Sequence, residues 1–192
     1  MWIENSLIEG QYIILEPLSL EHIPSLIEAV KDGELWKLWF ANVPSPEIMH
    51  QYVKYAIAQM VQGDIAYAVR VKATNQIVGT TRYYKVDPLN RRALIGYTWY
   101  SNAARGTRVN TECKYLLLKQ LFNKYDAIAV EFRTHTHNLV SRKAIERLGA
   151  KQDGILRNHI ILKNGNIRDT VVYSIIDTEW PDIEQELLRK LR

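Results

Sequence analysis

Cysteine is almost absent from this chain of 192 residues: Cys113 stands alone. One thiol closes no intramolecular disulfide and supplies no cysteine-based zinc site, which points to a reducing compartment. The 9 glycines and 6 prolines are scattered, so no linker or low-complexity stretch marks a domain boundary, and no internal repeat is visible. Long apolar runs are missing as well; none approaches the roughly 18 uncharged residues that would cross a bilayer. The opening Met1-Trp2-Ile3-Glu4-Asn5 has no basic stretch ahead of an apolar core. No secretory signal is therefore expected, and a cytosolic location is.

Charge is present but unevenly placed. The formal net charge is +4. Residues 1–96 carry 9 Lys/Arg against 10 Asp/Glu, whereas residues 97–168 carry 13 against 5. One segment is basic rather than the whole chain, and such a segment is expected to meet something anionic. Hydrophobic residues make up 47% and charged ones 24%, ordinary values for one cored domain of this length.

Hydrophobic periodicity orders the chain. Residues 11–16 read as a strand stopped by Pro17, followed by a helix on Leu26, Ile27 and Val30 that Gly33 ends. Ser45-Pro46-Glu47 opens a second helix, with Ile48, Tyr52, Tyr55, Ala56 and Met60 as its apolar stripe. Strand-like runs at 65–71, 77–84 and 93–100 are spaced as antiparallel neighbours. A helix then carries Val109, Cys113, Leu116, Leu117 and Leu121 on one face. A strand at 127–134, a short helix from Asn138 to Leu148, and strands at about 154–162 and 167–176 follow. Lys163-Asn164-Gly165-Asn166 is the turn between those last two strands. A final amphipathic helix holds Trp180, Ile183, Leu187, Leu188 and Leu191. The order β-α-α-β-β-β-α-β-α-β-β-α predicts an α/β (α+β) fold, a mixed and mostly antiparallel sheet with helices on both faces. The domain is expected over 10–178, with the helix of 179–192 packed on it.

The stretch Trp99-Tyr100-Ser101-Asn102-Ala103-Ala104-Arg105-Gly106-Thr107-Arg108-Val109-Asn110 runs from a strand through a turn into a helix. Free N–H groups and the dipole at a helix start attract phosphate oxygens, and Arg105 and Arg108 add positive charge. A turn capped by Thr107 with two solvated arginines is the plainer alternative. Other residues are ambiguous in the same way. Asn138 reads as an N-cap, and Cys113 as core. Trp36, Trp39 and Phe40 read as core or as an acceptor pocket, and core is preferred. Arg157, Arg168 and Asp169 read as an internal ion-pair group. His135 and His137 offer two metal ligands with no nearby third, so no metal is expected; His135 is also a candidate base.

Arg105-Gly106-Thr107-Arg108-Val109-Asn110 resembles the Arg/Gln-x-x-Gly-x-Gly/Ala pyrophosphate loop of the GNAT superfamily of N-acetyltransferases. Asn110-Thr111-Glu112-Cys113-Lys114 is similar to the Asn-Thr-Glu-x-Lys helix of its ribosomal-protein alanine N-acetyltransferase branch. Asn138 to Ala150, Gly154-Ile155-Leu156-Arg157, Arg168-Asp169-Thr170 and Glu179-Trp180-Pro181 extend the likeness. The resemblance implies splayed central strands ending near Tyr100 and Thr134, with acetyl-CoA between them as co-substrate. Its pantetheine would meet the backbone of Trp99 and Tyr100, and its pyrophosphate the amides of Gly106, Thr107, Arg108, Val109 and Asn110 beside Arg105. Asn138 and Ser141 would face the pantetheine arm and sulfur.

Three departures stand out. Arg108 replaces an expected glycine and Asn110 an expected glycine or alanine, Ile145 replaces the tyrosine general acid of many members, and strand 93–100 lacks a carboxylate base. Ser141 becomes the candidate acid. The activity implied is transfer of an acetyl group to a primary amine, either a protein N-terminus or a small molecule, with a homodimer implied by the resemblance alone. Acyl-CoA binding without turnover and a basic nucleic-acid-binding module are the alternatives. The second lacks an aromatic platform or groove-reading helix.

Overall fold

A computed structural model describes residues 2–40, 42–162 and 164–192. Its strands form one eight-stranded sheet in the order β1-β2-β3-β4-β5-β6-β8-β7. They are β1 Ile8–Glu9, β2 Ile13–Pro17, β3 Ile65–Val71, β4 Gln76–Asp87, β5 Arg92–Tyr100, β6 Ala129–His135, β7 Lys151–Ile161 and β8 Ile167–Ile176. Every neighbouring pair is antiparallel except β5 and β6. That exception follows from the chain: a helix crosses between these two strands, so the second must return in the same direction.

Strand alternation sorts side chains to two faces, and each face has its own core. Ile65, Tyr67 and Val69 of β3 join one cluster with Val109, Cys113, Leu116 and Leu117 of α3 (Arg108–Lys119) and Leu187 of α5 (Trp180–Leu191). Ala66 and Ala68 join the other, with Leu26 of α1 (Ile23–Lys31) and Val53 of α2 (Met49–Gln59). The fourth α-helix in chain order, α4, spans Leu139–Glu146 and buries Ile145.

The expected elements are present, with shifts of phase that have local causes. In α2 the buried residues are Met49, Val53 and Ala56, whereas Ile48 and Tyr55 are exposed. Pro46–Ile48 forms a 3₁₀ turn ahead of the helix, and its tighter winding rotates the stripe away from the position that a continuous helix from Pro46 gives. A wide π turn at Gln120–Lys124 extends α3 and lets Phe122 stack on Trp180, their ring centroids 5.2 Å apart. Leu188 in α5 is exposed. In the last hairpin Gly165 adopts φ +81° and donates to the Leu162 carbonyl; Lys163 and Met1 lie outside the described residues. The outermost strand, β7, is shifted in register against β8 in two places, with Asn158 at φ +49°.

One polar contact ties the first strand to the central helix. Glu112, 3% exposed, accepts hydrogen bonds from the backbone N–H of Gln11, Tyr12 and Ile13 at 2.6, 2.8 and 2.8 Å. Any Cβ on Gly10 would lie 2.7–2.9 Å from that carboxylate, so the position is confined to glycine. Replacing Glu112 with Ala strands three N–H groups in a nearly dry site. Glu112→Ala is expected to lower unfolding stability by about 3 kcal/mol, read as a lower urea midpoint at constant m-value.

Candidate functional site

Strands β5 and β6 pair only through Arg92, Ala93 and Leu94 opposite Ala129, Val130 and Glu131. Beyond Leu94 they part, and the cause is an extra residue in β5. Thr80 stands opposite Trp99 but Arg82 opposite Gly96, and Tyr97 has φ +50°. Such a bulge bends its strand and increases the local twist. It is held from both faces of the sheet. On the α1/α2 face the Tyr97 carbonyl accepts from Thr80 Oγ1 at 3.2 Å and Tyr52 Oη at 3.5 Å. On the α3 face Lys114 Nζ donates to Thr98 Oγ1 at 2.5 Å and Thr81 Oγ1 at 3.2 Å.

The parting leaves backbone hydrogen-bonding groups along one edge of β5. Ser101 N–H donates to the Val78 carbonyl at 2.7 Å, so by strand alternation the N–H and C=O of Tyr100 point away from β4, toward the gap. The side chains of Trp99 and Tyr100 are core, on opposite faces. Backbone, not side chain, is what these two residues offer a ligand lying in the gap.

At the end of β5 the chain turns through Asn102–Ala104 into α3. Gly106 has φ +74° with open space around it. Thr107 caps the helix: its Oγ1 accepts from Val109 N–H at 3.3 Å and donates to the Ala104 carbonyl at 2.7 Å. Arg108 and Asn110 occupy the first helical turn at ordinary negative φ, so the missing glycines impose no strain. The cap engages the Val109 N–H, while the amides of Thr107, Arg108 and Asn110 stand at the helix start, where no intrahelical acceptor serves them. The Arg108 guanidinium is turned away, donating to Tyr12 Oη at 3.2 Å and the Arg192 carbonyl at 3.1 Å. Arg105 lies exposed against Gly33 at the end of α1. Asp32 fastens the same turn, accepting from Asn102 N–H through its carbonyl and from Ala103 N–H through its carboxylate, at 3.1 and 2.9 Å.

Across the gap, β6 ends at His135 and α4 begins. Asn138 is its N-cap, accepting from Ser141 N–H at 3.1 Å. Ser141 is half-buried, and Ile145 is packed in the core. His135, 3% exposed, accepts the His137 N–H on Nδ1 at 3.0 Å. In the neutral ring the proton is therefore on Nε2, which leaves no lone pair free to act as a base. Burial, together with Arg168 and His137, holds the His135 pKa below its usual value. Trp39 and Phe40 cover this imidazole, with centroids 5.0 and 6.3 Å away. Trp39 is thus not core, being 48% exposed, whereas Trp36 packs against the α1/α2 cluster. Arg157, Arg168 and Asp169 form no ion pair with one another; Arg168 and Asp169, as strand neighbours, point to opposite faces. Arg168 Nε donates to Thr170 Oγ1 at 3.0 Å, and Asp169 Oδ1 accepts from Asn158 N–H at 2.7 Å. Among the described residues no three His, Cys, Asp or Glu are grouped so as to hold a metal, and no helix is long and apolar enough to cross a membrane.

The sequence pattern of the acetyltransferase (GNAT) domain matches residues 13–151. The chain belongs to the GNAT acetyltransferase family. Acetyl-CoA is the acetyl donor of that family. A GCN5-related N-acetyltransferase from Brucella melitensis superposes with a TM-score of 0.89 at 26% identity, covering 100% of this chain and 88% of the other. A protein of known structure from T. thermophilus superposes over 100% of both chains at 30% identity and a TM-score of 0.88. The Bacillus licheniformis protein called uncharacterized N-acetyltransferase p20 is 26% identical over 59% of this chain, and the match spans 63% of its own length. A coenzyme A complex of RimL, at 20% identity and a TM-score of 0.75 over 90% of this chain and 99% of the other, shares the fold.

Within this acetyltransferase fold, three groups near the gap carry no signal in the hydrophobic pattern: Arg82, His135 and Lys114. Lys114, 6% exposed, has hydroxyl partners and no carboxylate, and burial pulls its ammonium down to about 8. Below pH 8 the lysine is charged in folded and unfolded chains alike, and the folded state bears the cost of the buried charge. Between about 8 and the usual 10.5 the folded chain loses its proton first, so the contribution of this group to stability rises with pH. Lys114→Met is expected to gain stability over the parent at neutral pH by relief of the buried charge, less the cost of the two hydroxyl contacts that it removes. That gap should narrow as the pH approaches 10.5, as read from urea midpoints across the range.

Proposed function

We infer that this chain is an acetyl-CoA-dependent N-acetyltransferase, moving the acetyl group to a primary amine by direct attack on the thioester. The protein N-terminus and the small-molecule amine are the two acceptor types within this reading, and a homodimer is part of it. The observation that carries it is the parting of β5 from β6 directly beside a helix start with an open glycine turn. An extended, amide-bearing arm takes the place of the missing strand partner, while phosphates take the helix N-terminus.

In this reading the Tyr100 N–H and C=O pair with the pantetheine arm, next to Trp99. The amides of Gly106, Thr107, Arg108, Val109 and Asn110 receive the pyrophosphate, and Arg105 swings from Gly33 to join it. Arg108 contributes its backbone N–H, its side chain being engaged with Tyr12 and Arg192. Asn138 sets the first turn of α4 and thereby aims Ser141 at the sulfur.

The chemistry asks for a neutral amine, a stabilised oxyanion and a leaving thiolate. An α-amino group, with a pKa of about 7.7–8, is already substantially neutral near pH 7.5, whereas a lysine amine at about 10.4 is not. β5 supplies no carboxylate base, and His135 has its acceptor nitrogen occupied. An amine of low pKa that loses its proton to water fits these two facts. Backbone N–H groups at the bulge are suited to the oxyanion, and the Ser141 hydroxyl to protonating the thiolate.

Calorimetric titration with acetyl-CoA should show saturable binding; a folded sample that takes up none would sink this reading. Arg105→Ala is expected to weaken that binding about tenfold, by loss of a charge-assisted contact, without altering the fold. Ser141→Ala is expected to lower kcat for coenzyme A release by about tenfold to a hundredfold at unchanged acetyl-CoA affinity. Weaker affinity at unchanged kcat would make Ser141 a donor contact instead.

A further inference from the structure

The sheet face beside α1 and α2 contains buried hydrogen-bond donors without acceptors. Among the described residues, the buried side-chain atoms lacking a partner include all three guanidinium nitrogens of Arg82, Trp99 Nε1, Arg133 Nε and His135 Nε2. All of them lie on this face. Arg82 sits between the rings of Tyr52 and Tyr97, its guanidinium carbon 4.7 and 4.4 Å from their centroids. Trp99 packs with the α1/α2 core. Arg133 and His135 share one side of β6 by alternation. Tyr100 Oη, the remaining unpaired atom, lies on the opposite face, and as a hydroxyl it can donate as well as accept.

Two buried arginines on this face also lack a counterion. Arg82 is 1% exposed and Arg168 8% exposed, and among the described residues neither pairs with a carboxylate. Glu131 is engaged, receiving Arg133 Nη2 at 3.1 and 3.2 Å and lying 4.0 Å from Arg92. Buried cations and donors left in this state are costly, and a well-packed apolar residue would be cheaper at each position. A surplus made entirely of donors, with cations among them, is complementary to oxygen-rich anionic chemistry.

The location joins this surplus to the gap. His135 stands opposite Thr170 across the β6–β8 ladder. Thr170 Oγ1 in turn holds Arg168 Nε at 3.0 Å and is 3.0 Å from His159 Nδ1. Continuing the β5–β6 register beyond Leu94 and Glu131 brings His135 level with Thr98, at the bulge. Tyr84 and Tyr97, whose ring centroids are 5.1 Å apart, complete the wall on the β4–β5 side.

We propose that the acetyl acceptor is an amine that also bears a carboxylate, and that Arg168, Arg133 and the Nε2–H of His135 receive the carboxylate oxygens. The proposal rests on the acetyltransferase reading and narrows its acceptor. His135 serves as a neutral donor with its tautomer fixed by the His137 N–H, and Arg82 adds positive field from behind the Tyr97 ring. The carboxylates on this face, Glu131 and Glu16, are already paired with Arg133 and Arg70, so a polycation would have to displace an arginine.

The test uses two peptides alike in terminal amine, Ser-Asp-Ala-Ala-amide and Ser-Asn-Ala-Ala-amide, together with serine, serinamide and spermidine, and follows acetyl-CoA-dependent release of coenzyme A. The acidic peptide should be preferred over its neutral twin by about tenfold or more in kcat/KM. Serine preferred over both peptides would place the recognised group at the α-carboxylate; preference for the acidic peptide would place it on a neighbouring side chain. Arg168→Gln should erase the preference by raising KM for the acidic member more than for the neutral one, and Arg168→Lys should restore part of it. Calorimetry with the N-acetylated acidic and neutral peptides, in the presence of coenzyme A, reads the same preference without turnover. Equal handling of acidic and neutral members in both assays, or spermidine as the best acceptor, overturns the proposal. Absence of acetyl-CoA binding overturns the parent reading instead, so the two failures are distinguishable.

Discussion

The bulge at Tyr97 is the constraint on which the site depends. A regular β5 would keep pairing with β6 to its end, and the sheet would close without a gap. One extra residue, held by Thr80 and Tyr52 on one face and by Lys114 through Thr98 on the other, turns β5 aside after three paired residues. The free edge of Tyr100, the approach to the glycine turn and the separation of α3 from α4 all follow from that turn. A tyrosine at positive φ is strained. The hydrogen bonds on both sides are what make the strained conformation the stable one.

Hydrophobic spacing was enough to place the helices and strands, because each face of the sheet has its own apolar cluster and alternation separates them. The α3 stripe from Val109 to Leu121 is buried throughout. The turn at Gly106 was legible too, since a strand, a glycine and a capping threonine before an apolar stripe leave few other conformations. The remaining features have separate local causes. Nothing in the composition of Gly96-Tyr97-Thr98 marks a bulge, because the positive φ falls on tyrosine rather than glycine. The ion-pair group expected of Arg157, Arg168 and Asp169 does not form, Arg168 and Asp169 being turned to opposite faces by strand alternation, and Trp39 lies outside the core against the histidines across the gap. The phase of α2 was lost to the 3₁₀ turn at Pro46.

The basic character of residues 97–168 resolves into separate roles. Lys114 is buried beneath the bulge, Arg108 binds the Tyr12 hydroxyl and the chain's final carbonyl, and Arg142 donates to Tyr173 Oη at 2.9 Å. Tyr173 passes the contact on to Glu146 at 2.8 Å, a link between β8 and α4 that steadies the helix bearing Ser141. Positive charge does structural service on the α3 face; on the α1/α2 face Arg70 and Arg133 are paired with Glu16 and Glu131, while among the described residues Arg82 and Arg168 have no carboxylate partner. The positive surplus beside the gap comes from those two arginines and not from the face as a whole.

The irregular register of β7 bears on how the chain behaves among its own copies. An edge strand of 11 residues with exposed Ile155, Ile160 and Ile161 is the kind of element on which a second extended chain assembles. Its two register shifts, and the left-handed turn of backbone at Asn158, interrupt the row of outward N–H and C=O groups. An incoming strand can therefore stay in step for only a few residues before its hydrogen bonds fall out of phase. The same irregularity that shapes the outer hairpin blunts the edge against uncontrolled sheet growth.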